Sequence, residues 1–145
     1  MVRMANALSE SPATWLAETM ALLDEVSRGL PVGAVDELAT RIAPGERTFK
    51  FHLVSKASYA RRLGSGGAPG AATLSKAESE RVARLSRLWA FAVEVWGDAE
   101  GARRFLRKPH MFLGGKSPLD VALSSELGAR MVEDILGRLA YGSAA

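Results

Sequence analysis

Two stretches carry side chains with chemistry to offer. The first is LGGKSPLD, Leu113 to Asp120, which contains the Gly-Lys-Ser that closes a phosphate-binding loop. Such a loop needs another glycine five residues before Gly115, on a turn leaving a β-strand, so that backbone N–H groups converge on the phosphates. Position 110 is histidine, the preceding FLRKPHMF reads as a helix closed by proline, and Pro118 removes an N–H where the loop's helix would begin. Nucleotide binding is not expected here. The plainer reading makes Gly114-Gly115 a tight turn and Ser117 the cap of a helix starting at Pro118, with Asp120 favouring its positive end. That accounts for the turn but not for the crowding of cations, a histidine and large apolar side chains in LRKPHMFLGGK, so a partner surface stays open.

The second stretch is basic. Residues 1–40 hold two basic and six acidic groups, whereas residues 41–62 hold six basic groups against Glu46 alone. A local positive segment on a chain of net charge +3 suggests an anionic partner, and a solvated basic face is the alternative. Within it, a helix of about Glu46 to Leu53 and another of about Lys56 to Leu63, capped by Ser55, match a helix-turn-helix, whose second helix enters the DNA major groove. Ser55, Lys56 and Ser58 would then lie near the bases, with Tyr59, Arg61 and Arg62 on bases or phosphates. In the competing reading Tyr59 belongs to the core and the arginine pair to solvent.

Catalysis finds little footing. His52 and His110 are the two histidines, there are no cysteines, and Glu133-Asp134 are neighbours that point about 100 degrees apart on a helix. Neither an enzyme, a metal site nor a cofactor is expected.

The elements that would position these residues are helical throughout, so the class is all-α. Ser11-Pro12 begins a helix carrying Trp15, Leu16, Thr19, Leu22, Leu23 and Val26 until Gly29. A second starts near Pro31, with Val32, Val35, Leu38, Ala39 and Ile42 on one face, and stops before Pro44-Gly45. GSGGAPGAA, Gly64 to Ala72, reads as an exposed loop or linker. SKAE, Ser75 to Glu78, is a capping box that opens a long helix with Val82, Leu85, Leu88, Trp89, Ala92, Val95 and Trp96 on its apolar face. A shorter helix of about Ala99 to Arg107 buries Ala102, Phe105 and Leu106. The last, about Glu126 to Ala140, spaces Leu127, Met131, Ile135 and Leu139 four apart, with Val132 and Leu136 widening the stripe. This divides the chain into an N-terminal helical region (1–63), a Gly/Ala-rich loop (64–74) and a C-terminal helical domain (75–145). With no membrane-spanning run and no signal peptide in Met1 to Asn6, a cytoplasmic location is expected.

GLPVGAVDELA (Gly29 to Ala39), LVSKASYARR (Leu53 to Arg62) and LSKAESERVARLSRL (Leu74 to Leu88) resemble the Xre/MbcA/ParS antitoxin family, as do VWGDAEGARRFLRKP, LGGKSPLD and SSELGARMVEDILGRLAYG further on. The resemblance implies a type II antitoxin paired with a RES-domain toxin, which has an ADP-ribosyltransferase-like fold and acts on NAD. It also implies an N-terminal Xre-like helix-turn-helix that binds operator DNA and a C-terminal domain that obstructs the toxin's NAD site; self-association through helical surfaces is a further expectation. By matching position, Lys108, Pro109, Leu113, Gly114, Gly115, Lys116 and Pro118 form the family's loop, and Arg138, Tyr141 and Gly142 its closing segment. Phe105 and Trp96 exchange the family's tryptophan and phenylalanine. The glycine-rich insertion and the short LVSKASYARR depart further from a strong DNA reader. A stand-alone helix-turn-helix transcriptional regulator is the alternative.

Overall fold

The computed structural model describes residues 20, 21, 23–65 and 72–142, so Trp15, Leu16, Thr19, Leu22 and the Ser11-Pro12 start of the first expected helix lie outside the described residues. Among the described residues every named element is helical, and the one extended feature is an isolated antiparallel bridge between Pro31 and Thr73. The all-α expectation holds. The chain packs into two units that divide between Ala83 and Arg84.

In the N-terminal unit, helical residues 23–28 end at Gly29. Its φ of +93° favours glycine, and a Cβ there would lie 2.6 Å from the Leu74 carbonyl oxygen. The Leu74 N–H donates to the Leu30 carbonyl (2.7 Å) and the Val32 N–H to the Ala72 carbonyl (3.0 Å). The Leu30 N–H donates to the hydroxyl of Ser79 (2.9 Å), a fully buried side chain. Of the Gly/Ala-rich stretch, residues 66–71 lie outside the described residues, but its far end is not an exposed linker. Ala72 and Leu74 are buried, because their backbone pairs with residues 30–32 and leaves the side chains inside.

Helix α1 (Gly33–Ile42) buries Val35, Leu38, Ala39 and Ile42, and Val32 just before it, as the helical spacing predicts. The stretch read as a helix from Glu46 is instead a single 3-10 turn, Phe49–His52. Gly45 (φ +86°) redirects the chain, and Thr48, Phe49, Phe51 and His52 are weak helix formers, so one tight turn suffices to bury Phe49. Helix α2 (Lys56–Ser65) follows, with the Ser55 hydroxyl accepting the Ser58 N–H (3.1 Å).

Helix α3 (Lys76–Trp96) opens on the predicted capping box: the Glu78 N–H donates to Ser75 Oγ (3.1 Å) and the Ser75 N–H to Glu78 Oε1 (2.8 Å). Val82, Leu85, Leu88, Trp89 and Ala92 are buried, whereas Trp96 at the helix end is 46% exposed. In the C-terminal unit, α4 (Ala99–Arg107) is capped by Asp98 and buries Ala102, Phe105 and Leu106. Ser117 caps α5 (Pro118–Ser124) and Ser125 caps α6 (Glu126–Tyr141).

The buried face of α6 differs from the expected stripe. Gly128, Ala129, Val132 and Leu136 are buried, while Leu127, Met131 and Leu139 are exposed. The cause is Gly128, which lets α6 approach the α5 backbone so closely that a Cβ would meet the Val121 carbonyl oxygen at 2.1 Å. Arg87 binds Glu126 (3.1 Å) and Glu133 (2.6 Å), joining α3 to α6 beside this contact.

Gly128→Ala should therefore destabilise the protein by about 2–3 kcal/mol. Gly137→Ala, where a Cβ meets nothing within 4 Å, should be neutral or stabilise by up to about 1 kcal/mol. Urea unfolding of both variants checks the contrast, and equal losses would show that close approach does not select the buried face.

Candidate functional site

The N-terminal unit gathers the predicted DNA-facing residues on α2, and its hydrogen bonds divide them into two groups. Ser55, Lys56 and Arg61 are exposed, and Ser58 is half-buried with its hydroxyl accepting from Arg61 (3.3 Å). Tyr59 and Arg62 face inward. The Tyr59 hydroxyl donates to both oxygens of Asp36 on α1 (2.8 and 3.0 Å), and Lys50 lies 3.4 Å from Asp36 Oδ1 and from the Tyr59 hydroxyl. The Lys50 ammonium also sits 4.4 Å from the Tyr59 ring centroid. Burial and the Asp36 carboxylate together raise the Tyr59 pKa, which keeps its proton in place as a donor. One carboxylate thus joins α1, the 3-10 turn and α2.

Arg62 binds the Glu78 carboxylate at 2.7 Å, and its guanidinium also reaches the Thr73 carbonyl (3.4 Å). Burial alone would raise the Glu78 pKa, but the Ser75 N–H and hydroxyl and the Arg62 charge outweigh it and hold the carboxyl below its usual range. The sign follows directly. The unfolded chain takes up this proton at a higher pH than the folded one, so stability from Glu78 is present above its ordinary pKa of about 4.3 and is lost as pH falls through the depressed value.

The C-terminal unit holds the predicted loop between α4 and α5. His110 organises it: its N–H donates to the Lys116 carbonyl (3.0 Å), its carbonyl accepts from Leu113 (3.0 Å) and Gly115 (3.1 Å), and its Nδ1 accepts the Phe112 N–H (3.3 Å). Gly114 and Gly115 take left-handed φ values of +66° and +81°, which pulls the chain back toward α5. Rings continue the support inward, Trp96 to Phe105 (6.0 Å), Phe105 to His110 (6.4 Å) and His110 to Phe112 (5.5 Å).

The loop residues named from the sequence have different surroundings. Leu113 and Pro118 are buried and hold the loop from within, whereas Lys108, Pro109, Gly114, Gly115 and Lys116 are exposed. Two residues that the sequence reading included in the crowded apolar stretch but did not name as contacts are the most exposed large apolar side chains among the described residues, Met111 at 83% and Phe112 at 74%. Their signal was present: a three-residue turn, Met111–Leu113, between a proline and two glycines has room to bury one of its three apolar side chains. At the other end of the unit, Arg138, Tyr141 and Gly142 line an open cavity of about 500 Å³ with Glu133, Asp134 and Gly137. Among the described residues no group of three or more His, Cys, Asp or Glu side chains is placed to hold a metal ion, and no helix is long and apolar enough to cross a membrane.

From the Glu78 geometry, Glu78→Gln should lower stability at neutral pH by about 1–3 kcal/mol and flatten the acid limb of the stability curve below pH about 4.3. Thermal melts of both proteins between neutral and acid pH read this, and parallel curves would contradict it.

Comparison with known proteins matches both regions of the chain to domains of one family. Residues 21–87 match the antitoxin Xre-like helix-turn-helix domain, and residues 91–142 match the antitoxin Xre/MbcA/ParS C-terminal toxin-binding domain. A protein named antitoxin Xre from Yersinia enterocolitica is 32% identical over 124 residues, 83% of this chain and 79% of its own length. Another antitoxin Xre, from Pseudomonas putida, is 35% identical over 65 residues, 45% of this chain and 40% of its own. With α2 in the first matched region, and the α4–α5 loop and the end of α6 in the second, the chain belongs to the Xre/MbcA/ParS family of antitoxins.

Proposed function

We propose that this antitoxin neutralises a RES-domain toxin that consumes NAD or transfers ADP-ribose, by seating its C-terminal domain over the toxin's NAD site. The observation that carries the reading is the match of residues 91–142 to a toxin-binding domain, a region with an outward loop and a charged helix end. Inhibition of this kind requires burial and complementary contacts, and no chemistry by the antitoxin. Lys108, Lys116 and Arg138 are exposed and suited to meet carboxylates at the rim of the site. Leu113, Gly114, Gly115 and Pro118 set the loop's path, Pro109 starts it, and Tyr141 and Gly142 complete the helix-end surface.

The N-terminal unit acts in autoregulation by binding operator DNA. Ser55, Lys56, Ser58 and Arg61 form the DNA-facing set, and Tyr59 and Arg62 position α2 through Asp36 and Glu78. Such a face makes mostly phosphate contacts, so its affinity depends on salt more than on sequence.

The protein should co-purify with the product of its neighbouring gene and abolish that partner's NAD loss when the two are equimolar. Unchanged NAD loss in the complex would defeat the proposal. Lys56→Ala combined with Arg61→Ala should weaken operator binding about equally on different sequences, and lower the slope of log affinity against log salt by about two. Titrations at several salt concentrations measure this, and an unaltered slope would remove α2 from the interface.

A further inference from the structure

We infer that Met111 and Phe112 are the apolar anchor of the toxin contact, received by an apolar socket with a carboxylate rim; this rests on the toxin-binding reading above. Three observations support it together. The two side chains are among the most exposed large apolar groups of the described residues, and they stand side by side. A pair of that size in water is costly for a lone domain and typical of the buried centre of an interface, where a few residues carry most of the binding energy.

The frame beneath them is already built. Leu113 is buried, Gly114 holds a left-handed turn, His110 makes three backbone hydrogen bonds and its Nδ1 accepts the Phe112 N–H, and the His110 ring lies edge-on to Phe105 and tilted against Phe112. An anchor fixed before binding loses little conformational entropy when it docks.

Charge identifies the rim. Residues 103–116 contain five cations and no acid, and Lys108 and Lys116, which flank the anchor in sequence, are both exposed. The other exposed apolar stripe, Leu127, Met131 and Leu139 on α6, lies among Arg130, Asp134 and Arg138, a mixed set that selects no sign of partner. One-signed surroundings steer association, whereas desolvated anchors set the dissociation rate.

That division supplies the test, binding kinetics of the full chain on the immobilised neighbouring-gene toxin at several salt concentrations. Met111→Ala and Phe112→Ala should each raise the dissociation rate roughly 30-fold with little change in association. Phe112→Leu, which keeps apolar bulk, should recover most of the loss. Lys108→Ala with Lys116→Ala should slow association several-fold and flatten its salt dependence. Leu127→Ala should do neither, and melting temperatures should match the parent because the anchor is outside the core. Parent-like kinetics for both anchor variants would overturn the proposal. So would a Phe112→Ala variant that turns a dimer into a monomer while holding toxin normally, since the anchor would then join two copies of this chain. If the parent chain itself fails to bind the toxin, the toxin-binding reading is what has failed, and the anchor assignment falls with it.

Discussion

The carboxylate of Glu78 accepts the Ser75 N–H at the start of α3 and the guanidinium of Arg62 on α2 at once, so two elements of the N-terminal unit share one negative charge. An acceptor used twice cannot be lost from one element alone. If it is protonated, the first turn of α3 loses a cap and α2 loses its tether together. Asp36 repeats the device from the opposite side, accepting from Tyr59 and Lys50. Helix α2 is therefore tied to the rest of its unit by two carboxylates, through Tyr59 and Arg62, while Lys56 and Arg61 stay exposed.

The C-terminal unit reaches a similar separation by apolar means. Of the three consecutive residues Met111, Phe112 and Leu113, one is buried and two stand in water, and the glycines after them allow the chain to turn that sharply. Close approach of α5 and α6 at Gly128 seats the buried face of α6 and leaves Leu127 and Met131 outside. In both units a few tight contacts decide which side chains of an apolar or charged run face inward.

Local signals carried most of the fold. The face of α1 followed from 3.6-residue spacing, and the Ser75–Glu78 capping box from residue types three apart. What was not legible depended on partners distant in sequence. Tyr59 finds Asp36 across 23 residues and Arg62 finds Glu78 across 16, and no local pattern announces either pair. The α6 stripe was misjudged because four-residue spacing fits more than one face of a helix that is apolar over a wide arc. The choice belongs to Gly128 and the neighbour it touches, which is a tertiary fact. The loop was recognised as a surface, but its projecting residues were not, since exposure within an apolar triplet is settled only by where the turn points.

The loop also separates what must stay fixed from what is at liberty to vary. Leu113, Gly114, Gly115 and the His110 cap maintain its shape, whereas Met111 and Phe112 are mostly exposed, Phe112 touching only the outer end of the ring series at His110. A lineage could exchange those two side chains without disturbing the fold. New pairings between such a protein and its counterpart could then evolve through a pair of codons, with the scaffold inherited unchanged.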